Sequence, residues 1–127
     1  MEQANICKQA LLIVDDEPIN IAILYQYLSR LGFRILVAQN GAAAICEAKR
    51  TQPDAILLDV VMPHLDGFET CRQLKRQAET AHIPVVFMTG LRDAHDKVQG
   101  LQVGAVDYVT KPLELQEVLN CITPHLK

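Results

Sequence analysis

The sequence has no apolar run that approaches the roughly eighteen residues of a membrane-spanning helix. Its beginning, MEQANICKQ, lacks the basic start and the long apolar stretch of a signal peptide. It also lacks a basic run, and 12 Lys and Arg against 15 Asp and Glu leave a net charge of −3. These absences argue against a membrane protein and against direct binding of nucleic acid, so we expect a cytoplasmic protein.

Metal-binding cysteine motifs are absent as well. The cysteines form no C-x-x-C pair, and none stands at metal-ligand spacing from a histidine. In a reducing compartment the default state of such a residue is a free thiol that packs as a small hydrophobic group. We assign no role to these residues, which are Cys7, Cys46, Cys71, Cys121, His64, His82, His95 and His125.

Short apolar runs, by contrast, recur along the whole chain. They are ALLIV (10–14), RILVA (34–38), AILLDV (55–60), PVVFM (84–88) and VDYVT (106–110). The first four are almost continuously apolar, which is typical of strands buried on both faces of a parallel sheet.

Segments with helical spacing of apolar residues follow each run. Glycine, asparagine, aspartate and proline mark the expected helix ends, namely Gly32 and Gly104 at C-termini and Asn40, Asp66, Asp93 and Pro112 at starts. The apolar stripes include Ile23, Leu24, Tyr27, Leu28 and Leu31 in the first helix, Ala44, Ile45 and Ala48 in the second, Phe68, Cys71, Leu74 and Lys75 in the third, Val98 and Leu101 in the fourth, and Leu115, Val118, Leu119 and Ile122 in the fifth.

This alternation predicts an α/β fold of five βα units, a doubly wound parallel five-stranded sheet with helices on both faces. We expect residues 1–127 to form a single domain, with no output domain in this chain. In such sheets the chemistry collects at the carboxyl ends of the strands. The residues at these ends are Asp15, Asp16, Asp59, Thr89 and Lys111.

Three carboxylates at one edge require a compensating cation, because they cannot all stay ionised close together. Hard oxygen ligands suit Mg²⁺, and a hydroxyl and an ammonium opposite the ion suit the oxygens of a phosphoryl group. The set therefore predicts phosphoryl transfer onto a carboxylate, with Asp59 as the nucleophile at the central strand and Asp15 and Asp16 on the metal. A simpler reading of DDEP is a helix start with Asp16 as N-cap and Pro18 in the first turn, and both roles can coexist.

The motifs VDDE, LLDVVMPHLDG, MTG and YVTKP follow one another in an order and at spacings that resemble the receiver domain of bacterial two-component response regulators. The resemblance covers essentially the whole chain. It implies the flavodoxin-like receiver fold with strand order 2-1-3-4-5 and a cis peptide before Pro112. It also implies that Asp59 accepts a phosphoryl group from a sensor histidine kinase or a histidine phosphotransfer protein.

The resemblance further implies a Mg²⁺ ion bound by Asp15 or Asp16, Asp59 and the backbone carbonyl of Val61. Thr89 and Lys111 would contact the phosphoryl oxygens. Tyr108 would be a half-buried aromatic that turns inward when Thr89 moves. We also expect a homodimer that depends on phosphorylation, through the face of the fourth helix, the fifth strand and the fifth helix.

Two positions depart from the common family pattern. Gly90 follows Thr89 where alanine is commoner, and Leu113 follows Lys-Pro where phenylalanine is common. Gly90 still leaves space for a phosphoryl group, and Leu113 still fills an apolar slot. Neither change touches the chemistry of the predicted site. In MPHLDG we read Pro63 and Gly67 as structural residues of a turn and a close approach.

Three other functions fit the pattern less well. A flavin or nucleotide binder would need glycines and free N–H groups after the first strand, where DDEP places three negative charges. A pseudo-receiver that docks partners without phosphorylation is the main alternative, but such proteins usually lose a site residue. An aspartyl-phosphate hydrolase would need an acidic residue at the position of Val61.

We therefore expect a phosphoacceptor domain and not an enzyme that acts on other substrates. The side chains of Val61 and Leu91 flank the expected approach of water to the phosphorylated aspartate. Neither can hydrogen-bond a water molecule, so we predict slow self-dephosphorylation.

Overall fold

A computed structural model describes residues 9–62, 64–90, 99 and 101–126. Five parallel strands form one sheet in the order β2-β1-β3-β4-β5, which confirms the predicted α/β fold and strand order. The strands are β1 (Ala10–Val14), β2 (Arg34–Ala38), β3 (Ala55–Asp59), β4 (Val85–Thr89) and β5 (Asp107–Thr110). The helices described over their full length are α1 (Pro18–Arg30), α2 (Gly41–Thr51), α3 (Gly67–Arg76) and α4 (Leu115–Ile122), and a 3₁₀ turn (Thr123–His125) follows α4.

Two hydrophobic clusters cover the two faces of the sheet. Alternate residues of each strand point to opposite faces, so Leu12 and Val14 join one cluster while Leu11 and Ile13 join the other. The first cluster packs against α2 and α3, and the second packs against α1 and α4. This is the doubly wound arrangement that the alternation of strands and helices predicts.

The second strand is less buried than the sequence predicts. β2 lies at the edge of the sheet, and its burial falls short of that of β1, β3 and β4, which are buried throughout. Val37, for example, is 39% exposed. An apolar run predicts a strand, but only its place in the sheet decides whether both faces are covered.

Helix α1 begins differently from the simple reading of DDEP. Pro18 takes the first helical position, as predicted, but the N-cap residue is Glu17 and not Asp16. The end of α1 follows the prediction, because Gly32 has a φ of 101°. The amides of Gly32 and Phe33 donate to the carbonyls of Ser29 and Leu28, which is the Schellman arrangement.

The predicted caps of the next two helices are confirmed. The Asn40 side chain accepts a hydrogen bond from the Ala43 amide at 2.8 Å, and Asp66 accepts one from the Glu69 amide at 2.8 Å. The prediction that the last helix starts at Pro112 is wrong, since this helix, α4, begins at Leu115.

The fourth predicted helix falls largely outside the described residues, and so do Asp93, Val98, Leu91, Pro63, Cys7 and His95. Leu101, predicted on its apolar stripe, is 50% exposed. Gly104 has a φ of 109°, which favours glycine at the predicted helix end. Within the ranges given above, no helix is long and apolar enough to cross a membrane.

Candidate functional site

The ends of four strands bring the predicted site residues to one edge of the sheet. Asp15 follows β1, Asp59 ends β3 and Thr89 ends β4, while Lys111 follows β5. The register of the parallel strands brings their carboxyl ends to the same height in the sheet. Asp59 of β3 pairs with Met88 of β4, and Thr89 of β4 pairs with Thr110 of β5. The convergence predicted from the sequence is therefore present.

Three carboxylates form a cluster at this edge. One oxygen from each of Asp15, Asp16 and Asp59 lies within 4.8 Å of the others. Asp15 is fully buried and Asp59 is 3% exposed, whereas Asp16 is exposed. The cluster is thus open to solvent on the side of Asp16 and closed on the side of the other two carboxylates.

Lys111 reaches two of these carboxylates. Its Nζ atom is 3.2 Å from Asp59 Oδ1 and 3.7 Å from Asp15 Oδ2. The backbone amide of Lys111 donates to the Thr89 carbonyl at 2.7 Å, so the end of β4 fixes the start of this side chain. The peptide bond between Lys111 and Pro112 is cis, which confirms the expectation drawn from the resemblance.

The pKa of Asp59 lies well above its ordinary value. Burial is the main cause, and the nearby Asp15 carboxylate adds to it, while Lys111 and the Val61 amide lower the pKa. The net effect raises the pKa of Asp59 from 3.8 to about 6. A cation at the cluster would oppose the two raising effects.

The loop after β3 is held close to Asp59. The Val61 amide lies 3.4 Å from Asp59 Oδ1, and Val61 is 63% exposed. Gly67 donates to the Val60 carbonyl, and a Cβ atom at Gly67 would lie 2.2 Å from the Asp59 carbonyl oxygen. The close approach predicted for Gly67 is therefore confirmed.

Thr89 lies at the same edge of the sheet, at the end of β4. Thr89 is 2% exposed, and Tyr108 is half-buried against the cluster that covers the α2 and α3 face. A Cβ atom at Gly90 would meet nothing closer than Lys111 Cβ at 3.9 Å, so there is open space at this position. Leu113 is half-buried against the opposite cluster, as its apolar character predicts.

The donor set suits a divalent cation such as Mg²⁺. Each of the three clustered carboxylates offers an oxygen, and two of the three are buried. Buried carboxylates that face one another need positive charge nearby, and Lys111 is a single ammonium shared between Asp15 and Asp59. Oxygen ligands with one solvent-facing side match the preference of Mg²⁺ for carboxylates together with water.

The sequence did not indicate that Glu17 and Asn20 contact the Asp15 carboxylate at this edge. The Asp15 carboxylate accepts from the backbone amide of Glu17 at 2.9 Å and lies 3.4 Å from the side-chain nitrogen of Asn20. The available signal was the position of Asn20 in the first turn of α1, directly after the acidic stretch. A lone asparagine at such a place is also typical of an ordinary helix start.

Comparison with known proteins identifies the class of protein that has this sheet and this site. The sequence model of the response regulator receiver domain matches residues 11–123. The chain therefore belongs to the response regulator receiver family. Among its relatives is protein PilH from Pseudomonas aeruginosa, which is 42% identical over 112 residues that cover 88% of this chain and 93% of PilH.

A longer relative places the same unit inside a larger protein. Response regulator PleD from Caulobacter vibrioides is 44% identical over 104 residues, which cover 82% of this chain but 23% of PleD. The chain thus matches nearly all of one relative and about a quarter of another.

Two solved structures share the fold. Chemotaxis protein CheY4 from Vibrio cholerae has a TM-score of 0.88 and 26% identity, over 93% of this chain and 98% of CheY4. The receiver domain of sensor histidine kinase PA1611 from Pseudomonas aeruginosa has a TM-score of 0.84 and 31% identity, over 91% of this chain and 95% of that one. In the PA1611 structure a magnesium ion is coordinated in the active site cleft.

Proposed function

We propose that this receiver domain is a phosphoacceptor in two-component signal transduction. Asp59 takes a phosphoryl group from a phosphohistidine of a sensor histidine kinase or a histidine phosphotransfer protein. The observation that carries the proposal is the buried Asp59 carboxylate with Lys111 Nζ at 3.2 Å and two further carboxylates beside it. Membership of the receiver family supports it.

The transfer exchanges one bond for another. A carboxylate oxygen of Asp59 attacks phosphorus, the phosphorus–nitrogen bond of the phosphohistidine breaks, and the electron pair returns to the imidazole. The attacking carboxylate has to be ionised, and Lys111 favours that form against the effect of burial. Its ammonium then stabilises the charge on the transferred phosphoryl oxygens, and the Thr89 hydroxyl donates a hydrogen bond to them.

Asp15 or Asp16, together with Asp59 and the backbone carbonyl of Val61, would hold Mg²⁺ at this edge. When bound, the ion would supply positive charge to the phosphoryl oxygens during the transfer. Asp15 is held in place for this role by the Glu17 amide and by its buried position at the end of β1. The exposed Asp16 leaves one side of the cluster open to water.

The phosphorylated domain would act through other proteins and not on further substrates. The relatives of this domain are of different kinds, since they include PilH, PleD and the transcriptional regulator RpaA of Synechocystis, so they do not identify one output protein. We propose that phosphorylation changes the face that includes β5 and α4, where an output protein or a second copy of the chain can bind. A cytoplasmic location follows from the proposed phosphodonors.

Labelling by a small phosphodonor tests the assignment. The full chain is incubated with acetyl phosphate and Mg²⁺, and its intact mass is measured. We expect the wild type to gain one phosphoryl group and the Asp59→Asn variant to gain none. Asp16→Asn should sharply reduce the labelling, because the metal site loses a carboxylate.

Asp54→Asn is the matched control, because Asp54 directly precedes β3, at the end of that strand remote from Asp59. Its carboxylate accepts from the Ala10 amide at 2.7 Å, and an asparagine oxygen can accept the same bond. This variant should label like the wild type. Equal labelling of wild type and Asp59→Asn would refute the assignment of Asp59.

A further inference from the structure

The carboxamide of Asn20 lies between two carboxylates at the edge of the site. Its Nδ2 atom is 3.4 Å from Asp15 Oδ2 and 2.9 Å from Glu17 Oε1. A carboxamide nitrogen carries two hydrogens, so it can donate to both acceptors at once. The side chain of Asn20 therefore connects the exposed Glu17 to the buried Asp15.

The partners of Asp15 differ in charge. Its Oδ1 atom accepts from the Glu17 amide, while its Oδ2 atom faces the nitrogens of Asn20 and Lys111, at 3.4 and 3.7 Å. A cation held by the carboxylates repels the Lys111 ammonium, but it does not repel a neutral amide in the same way. Of these two side-chain partners of Asp15, Asn20 is the uncharged one, so a bound cation would weaken its hydrogen bond less than the contact with Lys111.

We propose that Asn20 is a positioning residue that holds the Asp15 carboxylate in the orientation needed to bind the metal, with Glu17 fixed beside it. This inference rests on the proposed function, because it assigns Asn20 to the metal site at Asp59. Groups that hydrogen-bond a metal ligand orient it, and their loss typically lowers metal affinity about tenfold to a hundredfold. Since the contact with Asp15 is long, we expect a loss of about tenfold, at the lower end of that range.

A role in helix formation alone makes a different prediction. Glu17, the N-cap residue of α1, makes no side-chain capping hydrogen bond, and Asn20 contacts its carboxylate from the first turn. If Asn20 only stabilises this start, its substitution lowers the free energy of unfolding and leaves metal affinity unchanged. Metal affinity and stability therefore have to be measured on the same variants.

Direct binding of Mn²⁺ to the unphosphorylated full chain provides the test. Electron paramagnetic resonance measures the free aquo ion, and so yields the dissociation constant without any phosphoryl transfer. The variants are Asn20→Ala, which removes the carboxamide, and Asn20→Leu, which keeps the branched shape of the side chain but has no donor. Asn120→Ala is the matched control, since Asn120 is exposed on α4 and its side chain contacts Gln116.

We expect the dissociation constant for Mn²⁺ to rise about tenfold in both Asn20 variants and to stay unchanged in Asn120→Ala. In an Asp15→Asn background, Asn20→Ala should cause no further loss, because the oriented carboxylate is gone. The melting temperature of each variant in EDTA shows whether the chain is folded.

The outcomes separate this inference from the proposed function. A wild type that binds Mn²⁺ and Asn20 variants that bind it within about twofold would overturn the role of Asn20 alone. A further tenfold loss from Asn20→Ala in the Asp15→Asn background would also overturn it. A wild type that binds no Mn²⁺ would overturn both this inference and the metal-dependent function.

Discussion

At the scale of single residues, Asp59 is subject to opposing electrostatic effects. Burial and the neighbouring Asp15 disfavour its charged form, whereas Lys111 favours it, and the result is a pKa of about 6 in the folded chain. In the unfolded chain the carboxyl has its ordinary pKa of 3.8. Because the folded state binds the proton more tightly, ionisation of Asp59 lowers stability as the pH rises through this interval.

This balance predicts that Asp59→Asn stabilises the metal-free domain. At pH 7 the substitution removes a buried negative charge next to Asp15, and the free energy of unfolding should rise by roughly 1 to 3 kcal/mol. The gain should shrink as the pH falls from 6 towards 4, where the wild-type carboxyl becomes protonated. Urea denaturation in EDTA at several pH values measures both effects.

Asp54→Asn serves as the control for that measurement, because it removes a carboxylate just before β3, away from the site, and should not raise the free energy of unfolding. Millimolar Mg²⁺ should reduce the difference between wild type and Asp59→Asn, since an ion at the proposed metal site would stabilise the folded wild type. A variant less stable than the wild type at pH 7 in EDTA would contradict the description of Asp59 as a costly buried anion.

Val61 leads to a second prediction at the residue scale. This residue is 63% exposed two positions after Asp59, and its side chain can neither donate nor accept a hydrogen bond. A water molecule that attacks the aspartyl phosphate is therefore not oriented from this position, and Val61→Asn together with Leu91→Gln should shorten the lifetime of the phosphorylated state. The rate should rise on the order of a hundredfold.

The decay of phosphoprotein after removal of the donor, with Mg²⁺ present, measures this lifetime. Leu91 lies outside the described residues, so its place in the prediction comes from the sequence alone. A half-life of seconds in the wild type, or no acceleration in the double variant, would show that these side chains do not limit hydrolysis.

At the scale of elements, the contact between α3 and β3 shapes the site. Gly67, the first residue of α3, lies so close to the end of β3 that a Cβ atom would be 2.2 Å from the Asp59 carbonyl oxygen and 2.8 Å from Val60 Cα. Both are backbone atoms, which cannot yield as a flexible side chain would. The start of α3 can therefore approach Asp59 only because residue 67 is glycine.

Gly67→Ala should accordingly destabilise the domain by about 1 to 3 kcal/mol, because the helix has to move away from the strand. It should also reduce labelling of Asp59 by acetyl phosphate. Gly90→Ala is the control, since its added Cβ atom would have 3.9 Å of clearance, and it should stay within about 0.5 kcal/mol of the wild type. Denaturation curves in urea that coincide for Gly67→Ala and the wild type would rule out this contact.

Elements were predictable from the sequence where a local signal coincides with the final structure. The run ALLIV corresponds to β1 without adjustment, and Asn40 caps α2 with its own side chain. The exposure of β2 was not predictable from its run, because it depends on which strand lies next to which. The last helix starts at Leu115 and not at Pro112, and Leu113 before it packs against the core.

Some features of the site were likewise predictable from the sequence, and others were not. Asp59, Thr89 and Lys111 were predictable because each stands at the end of an apolar run, and a parallel sheet brings such ends together. The difference in burial between Asp15 and Asp16 was not predictable, because two adjacent residues of the same type do not indicate which of them is buried. Asn20 was missed because its contact with Asp15 depends on the direction in which α1 leaves the strand.

At the scale of the whole molecule, β4 and β5 link the site to the face that also includes α4. Thr89 ends β4 and pairs with Thr110 of β5, and Tyr108 lies two residues earlier on that strand. A ligand shifts an equilibrium between two conformations only by its difference in affinity for them. The Thr89 hydroxyl would supply that difference if it contacts the phosphoryl group in one conformation only.

Thr89→Ala should therefore accept phosphate on Asp59 but lose most of the conformational change. The measurement is the set of NMR chemical shifts of residues 91–122 before and after addition of acetyl phosphate with Mg²⁺. Thr110→Ala, a neighbour on β5, is the control and should keep the change. Equal shifts in Thr89→Ala and wild type would exclude this coupling.

The central claim is that Asp59 becomes an aspartyl phosphate, and chemical trapping of that group tests it most directly. Borohydride reduces an acyl phosphate to an alcohol, so it converts a phosphorylated aspartate to homoserine, which peptide mass spectrometry locates in the sequence. After treatment with acetyl phosphate and Mg²⁺, homoserine should appear at position 59 and be absent without the donor. Homoserine at Asp15 or Asp16, or at no aspartate of a chain that has gained phosphate, would contradict the assignment.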